Sequence, residues 1–562
     1  MEKNQIVTVQ IEDIGNDGEG IGKVDGYTLF VKGAVVGDVA KVKVLKAKKT
    51  YGYAKVEELI LPSPDRVEPK CVVAGKCGGC QLQHLSYERQ LAYKEDKVKN
   101  CLQRIGGMAV EEIEQVIEPI IGMEEPFHYR NKAQYPVGTD KQGNPVMGFY
   151  AGHSHNIMEC MDCAIQEPVN AVILPVIKEF IKTYGISVYD EETGKGLLRH
   201  ILTRVGFKTK EVMVCLIING RKLPHVKELV EKLSSIVEKF KDISGQGGYI
   251  LKSVCLNVNT EKTNVILGNE ILPVYGQTHI TDYIGDIQYQ ISPLSFYQVN
   301  PKQTIKLYEK ALEYADLNGN EMVWDLYCGI GTISLFLAKK AGKVYGVEII
   351  PQAIDDAKNN AMINGIINAE FFVGAAEDVM PKKYKESNGT MQADVIVVDP
   401  PRKGCEESLL DTIVQMQPEK VVYVSCDPAT LARDVKYLRG RGYEVGKVCP
   451  VDQFGHSGHV ETVVKLSLKT DTPKLEIVME VDSDSNYTPE ERATYQKIKE
   501  YVLEKYGLKV HSLYIAQIKD KCGLGKERTG NSWKKNEDAK IPQCTPEKEE
   551  AIMDAFKYFG LV

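Results

Sequence analysis

Cys426 ends the apolar strand pattern KVVYVS and is followed by Asp427-Pro428 and a helical stretch, PATLARD. A thiol at a strand end can act as a nucleophile, and a helix N-terminus beside it favours the thiolate. Cys215 and Cys255 lie within apolar runs and read as inert core instead. Asp452, His456, His459 and Glu461 fall in one short segment, DQFGHSGHVE, and offer groups that could take a proton. Upstream, the strand MVWDLY carries Asp325 and runs through Gly329 and Gly331 into the helix ISLFLAKKAG. The next strand ends in Glu348, placed to accept hydrogen bonds from ribose hydroxyls. The bare glycine spacing suits either a dinucleotide or another adenosine cofactor, but the third glycine of a dinucleotide site falls on Ser334. Asp399-Pro400-Pro401-Arg402 follows ADVIVV and forms a rigid wall at the same sheet edge, although two prolines can also simply stop a strand.

The run from Asp325 to Gly331 resembles the D-x3-G-x-G form of S-adenosylmethionine-dependent methyltransferases, so that cofactor is expected in preference to a dinucleotide. A nucleophilic cysteine beside a methyl donor suits a pyrimidine. Carbon 5 of uracil is a poor nucleophile until a thiolate adds to carbon 6 and generates an enolate. SFYQVN (Ser295 to Asn300), DLYCGIGT, DPPRKG, SCDPAT and DQFGHSGHVET, in this order, closely resemble the RNA uracil-5 methyltransferase family (TrmA/RumA type). The resemblance implies that Gln298, Tyr327, Glu348 and Asp399 bind S-adenosylmethionine, that Cys426 is the nucleophile and that Glu461 accepts the carbon 5 proton. His456 and His459 stand in reserve as bases. Family members usually carry Pro where this chain has Gly455 and Thr where it has Ser457, which puts the rigidity of that loop in question.

A second group, Cys71-x5-Cys77-x2-Cys80, needs a fourth ligand to close a metal site, and Cys160 and Cys163 are the nearest downstream. Spacing alone fits structural zinc. The family resemblance implies a [4Fe–4S] cluster held by Cys71, Cys77, Cys80 and Cys163, with Cys160 in reserve.

These residues need several elements to position them. At roughly 100–200 residues per domain, 562 residues predict three or four domains. Apolar residues at 43% and charged residues at 26% exclude a disordered or fibrous chain. A net charge of −7 argues against coating nucleic acid by bulk charge, so any RNA site is a local patch. Without a long apolar run or a signal-like start, fourteen cysteines read as thiols or ligands in the reducing cytoplasm, with no membrane involved.

Residues 1–60 alternate as short strands and read as a small OB-like barrel, with Tyr51 and Tyr53 among Lys41, Lys43, Lys46, Lys48, Lys49 and Lys55. The segment resembles the TRAM domain, an RNA-binding barrel. Residues 61–290 read as a mixed α+β middle domain with the metal cluster, and 291–468 as an open, parallel, doubly wound α/β sheet, the Rossmann-like class I methyltransferase fold. Residues 469–562 read as a small helical appendage with a cap at Thr488 and a basic stretch around Trp533. Barrel and cysteines favour the ribosomal RNA branch over the transfer RNA branch, acting as a monomer on a flipped base against Phe296. A non-catalytic RNA-binding factor is the rival from another class. In GLLRHILTR, Arg199, His200 and Arg204 could contact phosphates or belong to a satisfied surface strand.

Overall fold

The alternating N-terminal segment closes on itself. Strands β1 (Ile6–Ile14), β2 (Gly20–Val24), β3 (Tyr27–Lys32), β4 (Val39–Ala47) and β5 (Tyr51–Leu61) form a closed barrel in the order β1-β2-β3-β5-β4. Val9, Ile11, Leu29, Val31, Val42 and Val44 fill its interior. At Gly22 a Cβ would lie 2.3 Å from the Gln10 carbonyl oxygen, so only glycine permits β1 and β2 to approach this closely. Phe30, Tyr51 and Tyr53 cluster on the outside with ring centroids 5.6–5.8 Å apart. The lysine face is less basic than the sequence suggests, because Lys41 pairs with Glu58 and Lys55 with Glu57.

The computed structural model describes residues 1–152, 154–241, 248–469, 495–508, 510, 512–522, 544, 546–559 and 561. The chain divides into two compact units, Met1–Leu475 and Glu476–Val562. Within the first, helix α1 (Tyr87–Arg104) is capped by Ser86, whose hydroxyl accepts from the Arg89 N–H, and α2 (Val110–Val116) follows. The middle sheet comprises β6 (Lys132–Thr139), β7 (Pro145–Tyr150), β8 (Ile157–Glu159), β9 (Leu198–Val205), β10 (Glu211–Ile218), β11 (Ile250–Val258) and β12 (Glu270–Gly276). Its order is β12-β11-β10-β9-β6-β7-β8. Helices α3 (Asn170–Tyr184) and α4 (Val226–Lys239) cover one face through Ile173, Ile177, Leu229 and Leu233. The other face sends Leu202, Met213, Cys215 and Cys255 into the core shared with the C-terminal sheet described below.

Strand β9 is therefore covered on both sides, and all eight of its residues are buried. This corrects the expectation for Arg199, His200 and Arg204. Arg199 lies over the Tyr189 ring at 4.3 Å and donates to the carbonyls of Asn259 and Glu261. Arg204 donates to the carbonyls of Pro293 and Ser295. The strand is neither a phosphate contact nor a surface strand.

A hairpin, β13 (Ile280–Ile284) and β14 (Ile287–Ile291), turns through Gly285 at φ 63°. Helix α5 (Pro301–Ala315) then starts from an Asn300 cap, whose side chain accepts from the Gln303 N–H. The alternation that follows is β15 (Met322–Leu326), α6 (Thr332–Leu337), β16 (Lys343–Glu348), α7 (Pro351–Ile363), β17 (Ala369–Val373), α8 (Ala376–Glu386), β18 (Val395–Val398), α9 (Glu407–Met416), β19 (Lys420–Ser425), α10 (Pro428–Arg439), β20 (Tyr443–Val451) and β21 (Glu461–Leu468). The sheet order is β17-β16-β15-β18-β19-β21-β20. It differs from the expected parallel sheet at one strand: β21 runs antiparallel to both neighbours, with Ser425 opposite Thr462. A short loop returning from β20 can only reverse direction, and β21 then inserts between β19 and β20.

In the second unit, α11 (Tyr495–Tyr506), α12 (Ser512–Lys521) and α13 (Pro546–Tyr558) share a core of Ile498, Val502, Ile515, Ile518, Ile552 and Phe556. Lys521 pairs with Glu549 at 2.7 Å. The expected cap at Thr488 and the basic stretch from Lys526 to Lys535 with Trp533 lie outside the described residues. Among the described residues, no helix is long and apolar enough to cross a membrane.

Candidate active site

The cofactor side of the site is built at the carboxyl ends of β15, β16 and β18. After β15 the chain turns through Tyr327 at φ 79°, Gly329 at φ 54° and Gly331 at φ 82°. The N–H groups of Tyr327 and Cys328 both donate to the Val347 carbonyl at 3.0 Å, fixing the turn against β16. At Gly331 a Cβ would meet the Phe371 ring at 3.2 Å, whereas Gly329 faces open space. Ser334 occupies the position where a dinucleotide site would want glycine, and its hydroxyl donates to the buried Asp325 carboxyl. The other Asp325 oxygen, Oδ1, is buried without a partner among the described residues. Burial pushes this carboxyl up to about 7.

Glu348 ends β16, half-buried, with Oε1 accepting from the Ile350 N–H at 3.0 Å. Asp399 follows β18 and is pushed up to about 7 by burial and then by the Asp325 charge. Gln298 is buried in the loop before α5, and its carbonyl accepts from Asn131 Nδ2 at 3.0 Å. Tyr327 lies near Cys405 and Glu377. An orphaned carboxylate oxygen, two further acids and an open glycine turn suit a ligand that carries positive charge, as S-adenosylmethionine does.

The catalytic side lies one strand further. Cys426 follows β19 and is half-buried. Asp427 caps α10, with Oδ1 accepting from the N–H groups of Ala429 at 2.8 Å and Thr430 at 3.1 Å. The helix start does not lower the thiol as the sequence suggests. Burial, then the charges of Glu461 and Asp399, push Cys426 up to about 12, with Arg402 opposing. Glu461 opens the reversed strand β21, so its side chain enters at the same edge as Cys426 although it begins a strand rather than ending one. Burial and then Asp399 push it up to about 8, again against Arg402. Cys426, Glu461, Asp399 and the exposed Arg402 thus form one electrostatic unit.

The two reserve histidines have other surroundings. His456, in left-handed conformation at φ 66°, accepts from the N–H groups of Gln81 and Leu82 through its carbonyl and stacks on Phe127 at 4.3 Å. It is a structural joint. His459 is pushed down to about 4 by burial, then by Arg402 and Lys97.

Sequence reasoning missed what holds this segment. The polar stripe Tyr87, Gln90, Lys94 and Lys97 on α1 packs under the loop between β20 and β21. Lys94 Nζ reaches Asp452 Oδ1 at 2.5 Å and the Phe454 carbonyl at 2.9 Å, and both charged side chains are fully buried. Tyr87 donates to Asp452 Oδ2 at 2.7 Å, Gln90 Oε1 accepts from the His456 N–H at 2.9 Å, and Lys97 donates to the Gly458 carbonyl at 2.8 Å. Gly455 and Ser457 therefore do not leave the loop loose. The Gly455 carbonyl accepts from Tyr129, and the Ser457 hydroxyl donates to the Phe454 carbonyl. Polar residues at helical spacing on a buried face were the available signal.

Cys71, Cys77, Cys80 and Cys163 are close enough for each thiol to feel the others' charge, and burial pushes Cys80 up to about 12. Cys160 and Cys163 lie side by side, and each shifts the other, holding Cys163 down and pushing Cys160 up. These thiols are therefore neighbours. Among the described residues, however, no three His, Cys, Asp or Glu side chains are arranged as a metal site.

A seven-stranded sheet of this order, with Asp325, Glu348 and Asp399 at its carboxyl edge, is the arrangement expected of an S-adenosylmethionine-dependent methyltransferase. Residues 86–469 match the family described as tRNA (Uracil-5-)-methyltransferase, and residues 2–56 match the TRAM domain. A protein of Clostridium tetani named as an uncharacterized RNA methyltransferase is 48% identical over 474 residues, covering 84% of this chain and 99% of its own. One of Halalkalibacterium halodurans, similarly named, is 50% identical over 469 residues, covering 84% and 98%. The crystal structure of Pyrococcus abyssi tRNA (uracil-54, C5)-methyltransferase in complex with S-adenosyl-L-homocysteine aligns with TM-score 0.64 and 29% identity over 82% of this chain and 100% of that one. The chain belongs to the RNA uracil-5 methyltransferase family (TrmA/RumA type). It is an S-adenosylmethionine-dependent RNA (uracil-5) methyltransferase with an N-terminal TRAM domain.

Proposed function

We propose that the enzyme methylates carbon 5 of a uridine in 23S ribosomal RNA through a covalent adduct on Cys426. The observation that carries the mechanism is the shared site of Cys426 and Glu461, delivered to one edge by antiparallel neighbours. Cys426 loses its proton and adds through sulfur to carbon 6, and the electron pair of the 5,6 double bond passes to the enolate. Gln298, Tyr327, Glu348 and Asp399 would hold S-adenosylmethionine, which would supply an electrophilic methyl group; as carbon 5 bonds to it, the methyl–sulfur bond would break with its electron pair staying on sulfur, leaving S-adenosylhomocysteine. Glu461, in its ionised form, then takes the proton from carbon 5, the double bond re-forms and the thiolate leaves. Arg402, the cation facing both groups, offsets negative charge as the thiolate and enolate form. Phe296, 69% exposed, offers a ring on which the flipped base stacks.

The TRAM barrel and the cysteine group support ribosomal RNA as substrate. The same cysteines are proposed to hold a [4Fe–4S] cluster through Cys71, Cys77, Cys80 and Cys163, with zinc as the alternative and a structural role in either case. We place the enzyme as a monomer in the cytoplasm. A transfer RNA substrate is the second reading, favoured by the Pyrococcus abyssi relative, whose name specifies tRNA. Mapping 5-methyluridine in both RNAs from a deletion strain separates the two, since only the true substrate loses its mark. Cys426→Ser should bind RNA and cofactor yet methylate neither. Wild type should form a stable adduct with RNA containing 5-fluorouridine, because fluorine cannot leave as a proton. Turnover by Cys426→Ser near the wild-type rate would refute the covalent route, and a wild-type protein without turnover on either RNA would favour a non-catalytic factor.

A further inference from the structure

Three cations stand together where the middle sheet faces the methyltransferase core, and among the described residues no carboxylate pairs with them. Lys132 on β6 lies directly opposite Arg204 on β9 in antiparallel register, so both side chains leave the same face. That face also carries Leu202 and Met213 into the core shared with the methyltransferase sheet. Arg130, two residues before Lys132, adds its charge to the same place. Arg204 is buried and is occupied with the carbonyls of Pro293 and Ser295. Beside Lys132, Asn131 donates its main-chain N–H to the Val299 carbonyl at 2.8 Å and its side chain to that of Gln298. The two strands thus grip both ends of segment 295–299, from which Phe296 projects into solvent.

Lys132 is half-buried, and its ammonium has no hydrogen-bond or ion-pair partner among the described residues. Burial, then Arg204 and Arg130, depress it to about 7. A cation held among cations is costly, and an anion seated there would reverse that cost. We infer that Lys132 binds a backbone phosphate of the RNA beside the target uridine, with Arg130 and Arg204 deepening the positive field. The inference rests on the proposed function only in taking single-stranded RNA as the ligand. The exposed Phe296 ring marks the side from which the nucleotide arrives, and a base stacked there carries its phosphates on a short tether. The acids Asp325, Glu348 and Asp399 are assigned to the cofactor instead.

The test is equilibrium binding of a short single-stranded RNA with one uridine to the full chain across a range of salt, with cofactor affinity measured in parallel by calorimetry. Lys132→Gln should bind the RNA about tenfold more weakly. Its plot of log affinity against log salt should be shallower by about 0.7, the value for one phosphate contact on a single strand. Lys132→Arg should restore both, and cofactor affinity should not change. RNA with a neutral methylphosphonate on one side of the uridine should lose a similar factor with wild type and nothing further with Lys132→Gln. Wild-type RNA affinity and slope in Lys132→Gln would overturn the inference. So would a loss confined to cofactor affinity, which would give the cations to the cofactor's carboxylate. If Lys132→Gln does not fold, the methylphosphonates decide on wild type alone: no loss with either flanking linkage overturns it. RNA that depends on Lys132 for binding but is never methylated would sink the proposed function and leave the phosphate site standing.

Discussion

Replacing Lys94 with methionine keeps most of the stem volume and removes the charge that faces Asp452. Both partners are fully buried, 2.5 Å apart. Without the ammonium, Asp452 retains the Tyr87 hydroxyl and the Phe454 N–H, neither of which carries charge. Removing one partner of such a pair costs about 3–5 kcal/mol, because the remaining charge is stranded in a medium that solvates it poorly. The pair itself adds little net stability, so the double variant Lys94→Met/Asp452→Asn should recover most of the loss and lie within about 2 kcal/mol of wild type. The chain has two tryptophans, and Trp324 is buried against Tyr345 with ring centroids 5.0 Å apart. A Trp533→Phe background therefore leaves Trp324 as sole reporter of the methyltransferase sheet during urea unfolding. A loss below about 1 kcal/mol in Lys94→Met, or a double variant no better than the single, would refute the reasoning.

The acid site should also leave a signature in pH. Asp325 and Asp399 are held up to about 7 and Glu461 to about 8, so the folded chain keeps protons that the unfolded chain releases from the ordinary values of 3.8 for Asp and 4.5 for Glu upward. Their contribution is fully present below those values and is lost as pH rises through the folded values, so unfolding free energy should fall toward about 8, with a shallower slope in Glu461→Gln. A profile unchanged by Glu461→Gln would place that carboxyl outside the coupled group. Protein purified without oxygen should be brown, with about four irons and four sulfides per chain, and colourless protein with zinc would replace the cluster assignment. Replacing Cys163 should abolish the iron while replacing Cys160 should not, and the opposite result exchanges them. Arg199→Met should lower stability by about 2–3 kcal/mol and leave the salt slope of RNA binding unchanged; a slope shallower by about 0.7 would mean that the side chain reaches phosphate after all.

The sequence motifs announced the chemistry because they sit where a doubly wound sheet must present its ligand-binding edge. SCDP and DPPR follow strands, and each acid or thiol reaches the edge by that rule alone. The direction of β21 was hidden, since the alternation of side chains in TVVKLSL reads the same in either orientation. Arg199 and Arg204 misled for a related reason. Charged residues in a short strand suggest a wet face, and only the tertiary arrangement shows both faces covered. Lys94 was legible as part of a helix but not as a buried cation, because its partner lies 358 residues away. The lowering expected of Cys426 from its helix start was outweighed by burial and neighbouring carboxyls, which no local pattern records.

The reversed strand also bears on the order in which the enzyme comes into being on the ribosome. Strand β21 is the last of its sheet to be synthesised, yet it belongs between β19 and β20. Until it arrives, β20 has no partner across the gap and the sheet stays open. On the assignment proposed above, a chain that carried Cys426 without Glu461 could capture RNA and never release it. Because the residue needed for release opens the strand that closes the sheet, a nascent or prematurely terminated chain lacks both together. On that assignment, competence to let go arrives only as the sheet closes.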